Sequence, residues 1–163
     1  MARVYVSIGS NIERDANIRG GVSDLQQCFG VVELSRVYES EAVGFDGDNF
    51  YNLVAAFDTD EDVLTVAKTL HDIENDHGRT REGPRFSSRT LDIDMLLYDD
   101  LVMTEGKLEL PRDEITKNAF VLWPLAEIAP TLKHPVLHKS YAELWDAFDK
   151  HKQPLWPVEF EFC

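Results

Sequence analysis

Basic residues and cysteines are scarce in this sequence, and each shortage excludes a class of protein. Sixteen Lys and Arg stand against 30 Asp and Glu, so the 163-residue chain carries a formal net charge of −14. A field of that sign repels polyanions, and we therefore expect no nucleic-acid partner. Two cysteines, Cys28 and Cys163, are too few for a disulfide framework or a cysteine zinc site.

Long apolar segments are missing as well. The chain passes from Met1 directly into an alternating segment at residues 4–8, without a signal-peptide pattern, and it has no run of about 18 apolar residues. We therefore expect a cytoplasmic protein without a membrane partner. The apolar fraction of 44% suffices for one core, so we expect a single domain over residues 1–163, with a C-terminal extension from about residue 153.

The spacing of apolar residues predicts the order of the elements. Period-two alternation predicts four strands, at residues 4–8, 31–38, 50–58 and 89–98. Helical spacing predicts two helices, at residues 15–29 and 61–77, the second capped by Thr59 or Asp60. Residues 99–117 are predicted to be a loop, and apolar helical material follows it. The βαββαβ order predicts a ferredoxin-like α+β fold, an antiparallel sheet with helices packed on both faces.

Two acids on the last predicted strand indicate a cation site. Asp92 and Asp94 are two positions apart, so their side chains project from the same face, with the Cα atoms about 7 Å apart. A hard divalent cation such as Mg²⁺ neutralises such a pair and keeps open positions for phosphate oxygens. A strand with one solvated face would show the same pattern.

The segment before that strand is rich in arginine. Residues 79–89 contain four arginines and one acid, a local charge of +3, so the other 152 residues carry −17. The planar guanidinium fork fits phosphate oxygens, and such a loop ahead of two acids indicates a site for a metal-complexed polyphosphate. A solvated loop paired with neighbouring acids is the alternative. Neither P-loop nor Rossmann glycine spacing follows the first strand.

Three stretches match the motifs of one known family. They are Gly9-Ser10-Asn11, the run from Arg89 to Tyr98, and the apolar run from Ala119 to Pro130. Through them the chain resembles the 6-hydroxymethyl-7,8-dihydropterin pyrophosphokinase (HPPK) family of folate biosynthesis, over roughly residues 4–150. The resemblance implies a ferredoxin-like fold, a monomer, and transfer of pyrophosphate from ATP to the hydroxymethyl group of the pterin, with AMP as the second product.

The resemblance also implies roles for individual residues. Asp92 and Asp94 would hold two Mg²⁺ ions, and the catalytic set would be Arg79, Arg89, Asp92 and Asp94. The ATP site would be formed by His71, Glu74, Arg81, Arg85, Lys107 and Arg112. The pterin would be bound by Ser40, Val43, Phe50, Asn52 and Phe120, with its ring between the two phenylalanines.

The chain departs from the family pattern beside the expected ATP surface. Arg112 stands where the family has a histidine, Asn118 replaces an arginine, and Glu109 replaces a small hydroxyl residue. We expect Arg112 to restore the lost positive charge. Two alternative functions stay open. The chain is either a divergent paralogue that binds the pterin without transfer, or an enzyme that acts on a different pterin. The alternating residues 153–163 predict either an extra edge strand or a dimer contact.

Overall fold

The computed structural model describes residues 1–41, 48–77 and 91–162, and an antiparallel sheet lies at its centre. Its strands are β1 (Ala2–Ser10), β2 (Glu33–Leu34), β3 (Val37–Ser40), β4 (Phe50–Thr59), β5 (Asp92–Tyr98) and β8 (Leu155–Val158). Between β5 and β8 the chain forms a separate hairpin of β6 (Met103–Glu105) and β7 (Leu108–Leu110). The sheet order is β5-β1-β4-β3-β8, and β2 also pairs with β4.

Four main helices pack on this sheet. They are α1 (Arg14–Phe29), α2 (Val63–Asp76), α3 (Ala119–Ile128) and α4 (Tyr141–Asp146), with short 3-10 helices at Asp113–Thr116 and Lys150–Lys152. If β2 and β3 are taken as one interrupted strand, the chain order through β5 is βαββαβ, and the sheet order is that of a ferredoxin-like fold. The predicted fold class is confirmed.

Each face of the sheet covers its own apolar core. Alternate residues of β1 and β4, such as Ile8 and Leu53, pack with Ile18 and Leu25 of α1 and with α2. The intervening residues face the other way, where a second core joins the sheet to α3 and α4. That core is formed by Tyr5, Val54, Ala56, Leu96, Leu97, Ile115, Val121, Leu122, Leu125, Ala126, Ala129 and Tyr141.

The start of α2 lies later than predicted. Thr59 pairs with Ala2 at the end of β4 and is therefore part of the sheet, so it does not cap the helix. Asp62 is the cap instead, since its carboxylate accepts a hydrogen bond of 2.8 Å from the backbone N–H of Thr65. The prediction of a cap at Thr59 or Asp60 was wrong, although the helix itself is confirmed.

The predicted strand at residues 31–38 is divided in two. Leu34 pairs with Ala55 while Tyr38 pairs with Asn52, so four steps on one strand match three on the other. One extra residue is therefore accommodated, as in a β-bulge. The Ser35 hydroxyl stabilises this break by accepting a hydrogen bond of 2.9 Å from the backbone N–H of Val54.

The predicted loop at residues 99–117 contains regular structure. Strands β6 and β7 form a hairpin around Gly106, whose φ of 60° suits a two-residue turn, and a 3-10 helix follows. Three-residue strands are too short to show an alternating pattern, which is why the prediction of a loop was wrong.

The C-terminal segment adds a strand to the sheet. β8 pairs antiparallel with β3, from Val158 opposite Val37 to Leu155 opposite Ser40. Of the two predicted possibilities, an extra edge strand is what the structure contains. Within the three described ranges, no helix is both long and apolar enough to cross a membrane.

His134 makes the stability of this fold depend on pH. Its buried imidazole accepts hydrogen bonds at Nδ1 from the backbone N–H groups of Val136 (3.2 Å) and Leu137 (3.1 Å). Burial, with a smaller effect of His138, lowers the pKa of His134. The unfolded chain therefore binds the proton more readily, so His134 stabilises the fold above about pH 6.5 and less as the pH falls.

We expect His134→Asn to reduce the pH dependence of stability, because an amide oxygen can accept both hydrogen bonds without titrating. The free energy of unfolding is measured in urea at pH 7.5 and at pH 5.5. It should fall less in the variant than in the wild type, and the difference between the two falls should be at most about 1.4 kcal/mol per pH unit. The exposed His151→Asn is the matched control. Equal losses in wild type and His134→Asn would contradict the assignment.

Candidate active site

Several of the predicted site residues lie at one end of the sheet. Gly9, near the end of β1, pairs with Asn52 of β4 on one side and with Asp92 of β5 on the other. Ser40, at the end of β3, pairs with Phe50 at the start of β4. Because neighbouring strands are about 4.8 Å apart, the Cα atoms of Asn52 and Asp92 are separated by roughly 10 Å.

The candidate side chains of β4 and β5 project from the face that α3 covers. Leu53 and Ile93 belong to the core against α1 and α2, so the alternation of each strand turns Asn52, Asp92 and Asp94 to the opposite face. Phe120, in the first turn of α3, packs at the edge of the second core. The candidate site therefore lies between the end of the sheet and the start of α3.

Three carboxylates form a cluster that fits a divalent cation. One oxygen from each of Glu74, Asp92 and Asp94 lies within 4.8 Å of the others. Glu74 reaches the strand from α2, is 2% exposed, and accepts a hydrogen bond of 2.8 Å from the backbone N–H of Ile93. An all-oxygen set of this charge is the kind that Mg²⁺ prefers.

The resemblance assigned Glu74 to the ATP site, and its place beside the aspartates was not foreseen. A sequence signal for it exists: Glu74 follows Leu70 by four positions and so lies on the buried stripe of α2, where an acid is unusual. His71 lies one turn earlier, half exposed, with Nδ1 3.7 Å from Oε1 of Glu74. It is therefore at the outer edge of the cluster.

Arg112 lies against the same cluster. Its backbone N–H donates to the carbonyl of Leu96 (3.0 Å), which fixes the chain beside β5, and its Nη2 is 3.6 Å from Oδ1 of Asp94 and 3.1 Å from Oε1 of Glu114. Burial alone would lower the pKa of Arg112, but these carboxylates outweigh burial and raise it. The buried Nε has no hydrogen-bond partner within the described ranges.

The other half of the site is built around Asn52. Its amide Nδ2 donates to the Ser40 hydroxyl at 3.3 Å, and both residues are buried. A Cβ atom at Gly9 would lie 2.6 Å from Oδ1 of Asn52, so glycine is required there for the side chain to keep its place. Phe50 and Phe120 are both partly exposed.

The remaining predicted residues are distributed as follows. Lys107 is exposed in the turn between β6 and β7. Five predicted residues lie outside the described ranges, namely Val43, Arg79, Arg81, Arg85 and Arg89. Their roles stay predictions. Sequence reasoning did not single out Glu114 as a partner of Arg112, because this contact depends on the tertiary packing of the 3-10 helix.

The carboxylate cluster, which fits a divalent cation, lies at the same end of the sheet as the buried pair of Asn52 and Ser40 and the partly exposed Phe50. The family model of 7,8-dihydro-6-hydroxymethylpterin-pyrophosphokinase (HPPK) matches residues 5–130. The chain belongs to this family.

Curated relatives agree with that assignment. The 2-amino-4-hydroxy-6-hydroxymethyldihydropteridine pyrophosphokinase of Aquifex aeolicus is 34% identical over 145 residues, which cover 88% of this chain and 90% of the relative. The protein of the same name from Pseudomonas aeruginosa is 36% identical, covering 82% and 84%. The folic acid synthesis protein FOL1 of Dictyostelium discoideum is 37% identical, but the match covers only 21% of that longer protein.

Solved structures support the fold. The wild-type HPPK-DHPS of Plasmodium falciparum with pterin and p-hydroxybenzoate matches 89% of this chain with a TM-score of 0.73 at 15% sequence identity. The triple mutant of the same protein with pteroate gives a TM-score of 0.71 at 14% identity. This chain spans under half the length of those Plasmodium chains, 42% and 43% respectively.

The carboxylate cluster predicts a measurable cation affinity. We expect Asp94→Asn and Glu74→Gln each to weaken the binding of Mg²⁺ by about tenfold or more, because each variant removes one of three charged oxygen donors. Calorimetric titration without nucleotide, or competition with Mn²⁺ followed by electron paramagnetic resonance, measures it. Asp146→Asn, an exposed acid on α4, is the control, and an unchanged affinity in both test variants would contradict the site.

Proposed function

We propose that the protein transfers pyrophosphate from MgATP to the hydroxymethyl group of 6-hydroxymethyl-7,8-dihydropterin in folate biosynthesis. The observation that carries the proposal is the carboxylate cluster of Glu74, Asp92 and Asp94 beside Asn52, at the same sheet end, in a member of this family. Curated relatives that bear the name of this pyrophosphokinase are 34–38% identical over most of the chain.

The proposed reaction is one displacement at the β-phosphorus of ATP. The hydroxymethyl oxygen forms a bond to that phosphorus, the bond from it to the bridging α-β oxygen breaks, AMP leaves, and the hydroxyl proton is released. Phosphoryl chemistry of this kind asks the protein for positioning and charge neutralisation rather than covalent participation. Asp94 is our candidate for assisting the loss of the proton.

The carboxylates supply the cation side of this site. Asp92 and Asp94, with Glu74 behind them, would hold Mg²⁺, and we propose two ions, as the resemblance implies. Bound Mg²⁺ neutralises and orients the phosphate oxygens of ATP. Further ATP contacts are proposed for His71, Glu74, Arg81, Arg85, Lys107 and Arg112, with Arg79 and Arg89 acting on the transferred group.

Polar and aromatic residues supply the pterin side. The hydrogen bond from Asn52 to Ser40 holds the amide in one orientation, so that it can recognise the polar edge of a pterin. Phe50 and Phe120 would stack on the two faces of the ring, an arrangement that suits planar heterocycles. Val43 is proposed to add a backbone contact.

The state of the whole protein is also a proposal. A single domain over residues 1–163 is supported by the pairing of β8 with β3, which joins the extension to the main sheet. A monomer in the cytoplasm remains our expectation from the sequence.

A direct assay tests the proposed function. We expect AMP release from ATP that depends on both Mg²⁺ and the 6-hydroxymethyl pterin, and a fall in kcat/KM of at least about a hundredfold in Asp92→Ala or Asp94→Ala, because the phosphate charge is then not neutralised. Circular dichroism checks that each variant is folded, and Asp146→Ala is the control. Full activity in either test variant would refute the proposal.

A second candidate function is a paralogue that binds the pterin without transfer. It is favoured by the position of Arg112, whose charge is already paired with the carboxylates of Asp94 and Glu114. The two functions differ in one observation, since the paralogue would bind the pterin in calorimetry and release no AMP.

Arg112 gives a separate test of the ATP side. If its charge replaces that of the missing family arginine, Arg112→Ala should weaken binding of a non-hydrolysable ATP analogue in Mg²⁺ by about tenfold, or roughly 1.4 kcal/mol. Arg112→Lys keeps the charge and should recover most of the affinity. Unchanged affinity in Arg112→Ala would show that the guanidinium serves only its two carboxylates.

A further inference from the structure

Gln153, in the C-terminal segment, makes two hydrogen bonds with the backbone that leads into α3. Its Oε1 accepts from the N–H of Ala119 at 2.8 Å, and its Nε2 donates to the carbonyl of Lys117 at 2.7 Å. One side-chain amide thus binds the peptide groups on both sides of Asn118. Phe120 is the next residue after Ala119.

These bonds supply what the helix start lacks. The first N–H groups of a helix have no partner within the helix and are usually satisfied by the side chain at the cap position. Asn118 occupies that position in α3 and makes no capping hydrogen bond. Gln153 provides the acceptor from a distant part of the chain, so the direction of the first turn of α3 depends on where Gln153 is held.

Gln153 is itself fixed from both sides. The 3-10 helix Lys150–Lys152 precedes it, and β8 begins two residues later with Leu155 paired to Ser40 at the end of β3. Residues 153–158 therefore connect the start of α3 to the end of β3. Phe120 and Ser40, which the proposed function places on the pterin, lie at the two points that this segment joins.

We propose that Gln153 is a positioning residue for the pterin: it holds the first turn of α3 so that the ring of Phe120 lies at stacking distance from the ligand. This inference rests on the proposed function. Gln153 acts through Phe120 rather than through the carboxylate cluster, because that cluster is held by α2 and β5 and not by α3.

The pterin and ATP affinities separate this role from a general loss of structure. In Gln153→Ala, we expect the Kd of the 6-hydroxymethyl pterin to rise about tenfold, because the two hydrogen bonds that position Phe120 are lost. The fluorescence of the pterin itself measures this Kd. The Kd of a non-hydrolysable ATP analogue with Mg²⁺, measured without pterin, should change less than about twofold. Gln27→Ala, an exposed glutamine on α1, should change neither.

A double-mutant cycle with Phe120→Ala tests whether Gln153 acts through that ring. We expect Gln153→Ala to change the pterin Kd by less than about twofold once Phe120 is alanine, since coupled residues are not additive. Fully additive losses would overturn the inference, and so would an unchanged pterin Kd in Gln153→Ala while the wild type binds. A wild type that binds no pterin would instead refute the proposed function, and the inference with it.

Discussion

Strand β1 pairs with β4 on one side and with β5 on the other, and the candidate active site depends on both registers. The pairing with β4 is continuous from Ala2 to Ser10, and it places Gly9 beside Asn52. A shift of one residue would turn Asn52 or Asp94 to the face covered by α1 and α2. The same strand must also lack a side chain at Gly9, because the Asn52 amide occupies that space. The strand register and the missing side chain at Gly9 thus fix the positions of Asn52 and of the two aspartates together.

Part of the chain's negative charge is concentrated in the carboxylate cluster of Glu74, Asp92 and Asp94. Like charges at this distance repel, and burial of Glu74 increases the repulsion, because the interior screens charge less than water does. A divalent cation relieves the repulsion, and Arg112 does so in part. The MgATP of the proposed function would bring such a cation to the cluster, while the formal net charge of −14 opposes the approach of a long polyanion.

Strong periodicity made the central elements predictable, and tertiary contacts decided the rest. The alternation in β4 and β5 identified both strands and placed Asp92 and Asp94 on one face, and the apolar stripe identified α2. The hairpin of β6 and β7 and the break at Ser35 were missed because short strands and bulges carry little periodic signal. The contact of Glu74 with the aspartates and the contact of Gln153 with the start of α3 were not predicted, since each joins segments that are far apart in the sequence. Asn118, a residue type common at helix caps, gave no sign that another side chain serves the start of α3.

The two halves of the site are held by different parts of the fold. The carboxylates are held by two elements, α2 and β5, which contact each other directly, as in the hydrogen bond from the Ile93 N–H to Glu74. The half that we propose for the pterin instead combines residues of β3, β4 and α3, three elements that come together only in the folded chain. An edge strand that pairs with β3 and an amide that binds the start of α3 limit the relative motion of these elements. A stacking pocket needs such a limit, because the contact between two rings falls steeply as their separation grows. The C-terminal segment therefore supports the half of the site that local structure alone leaves least constrained.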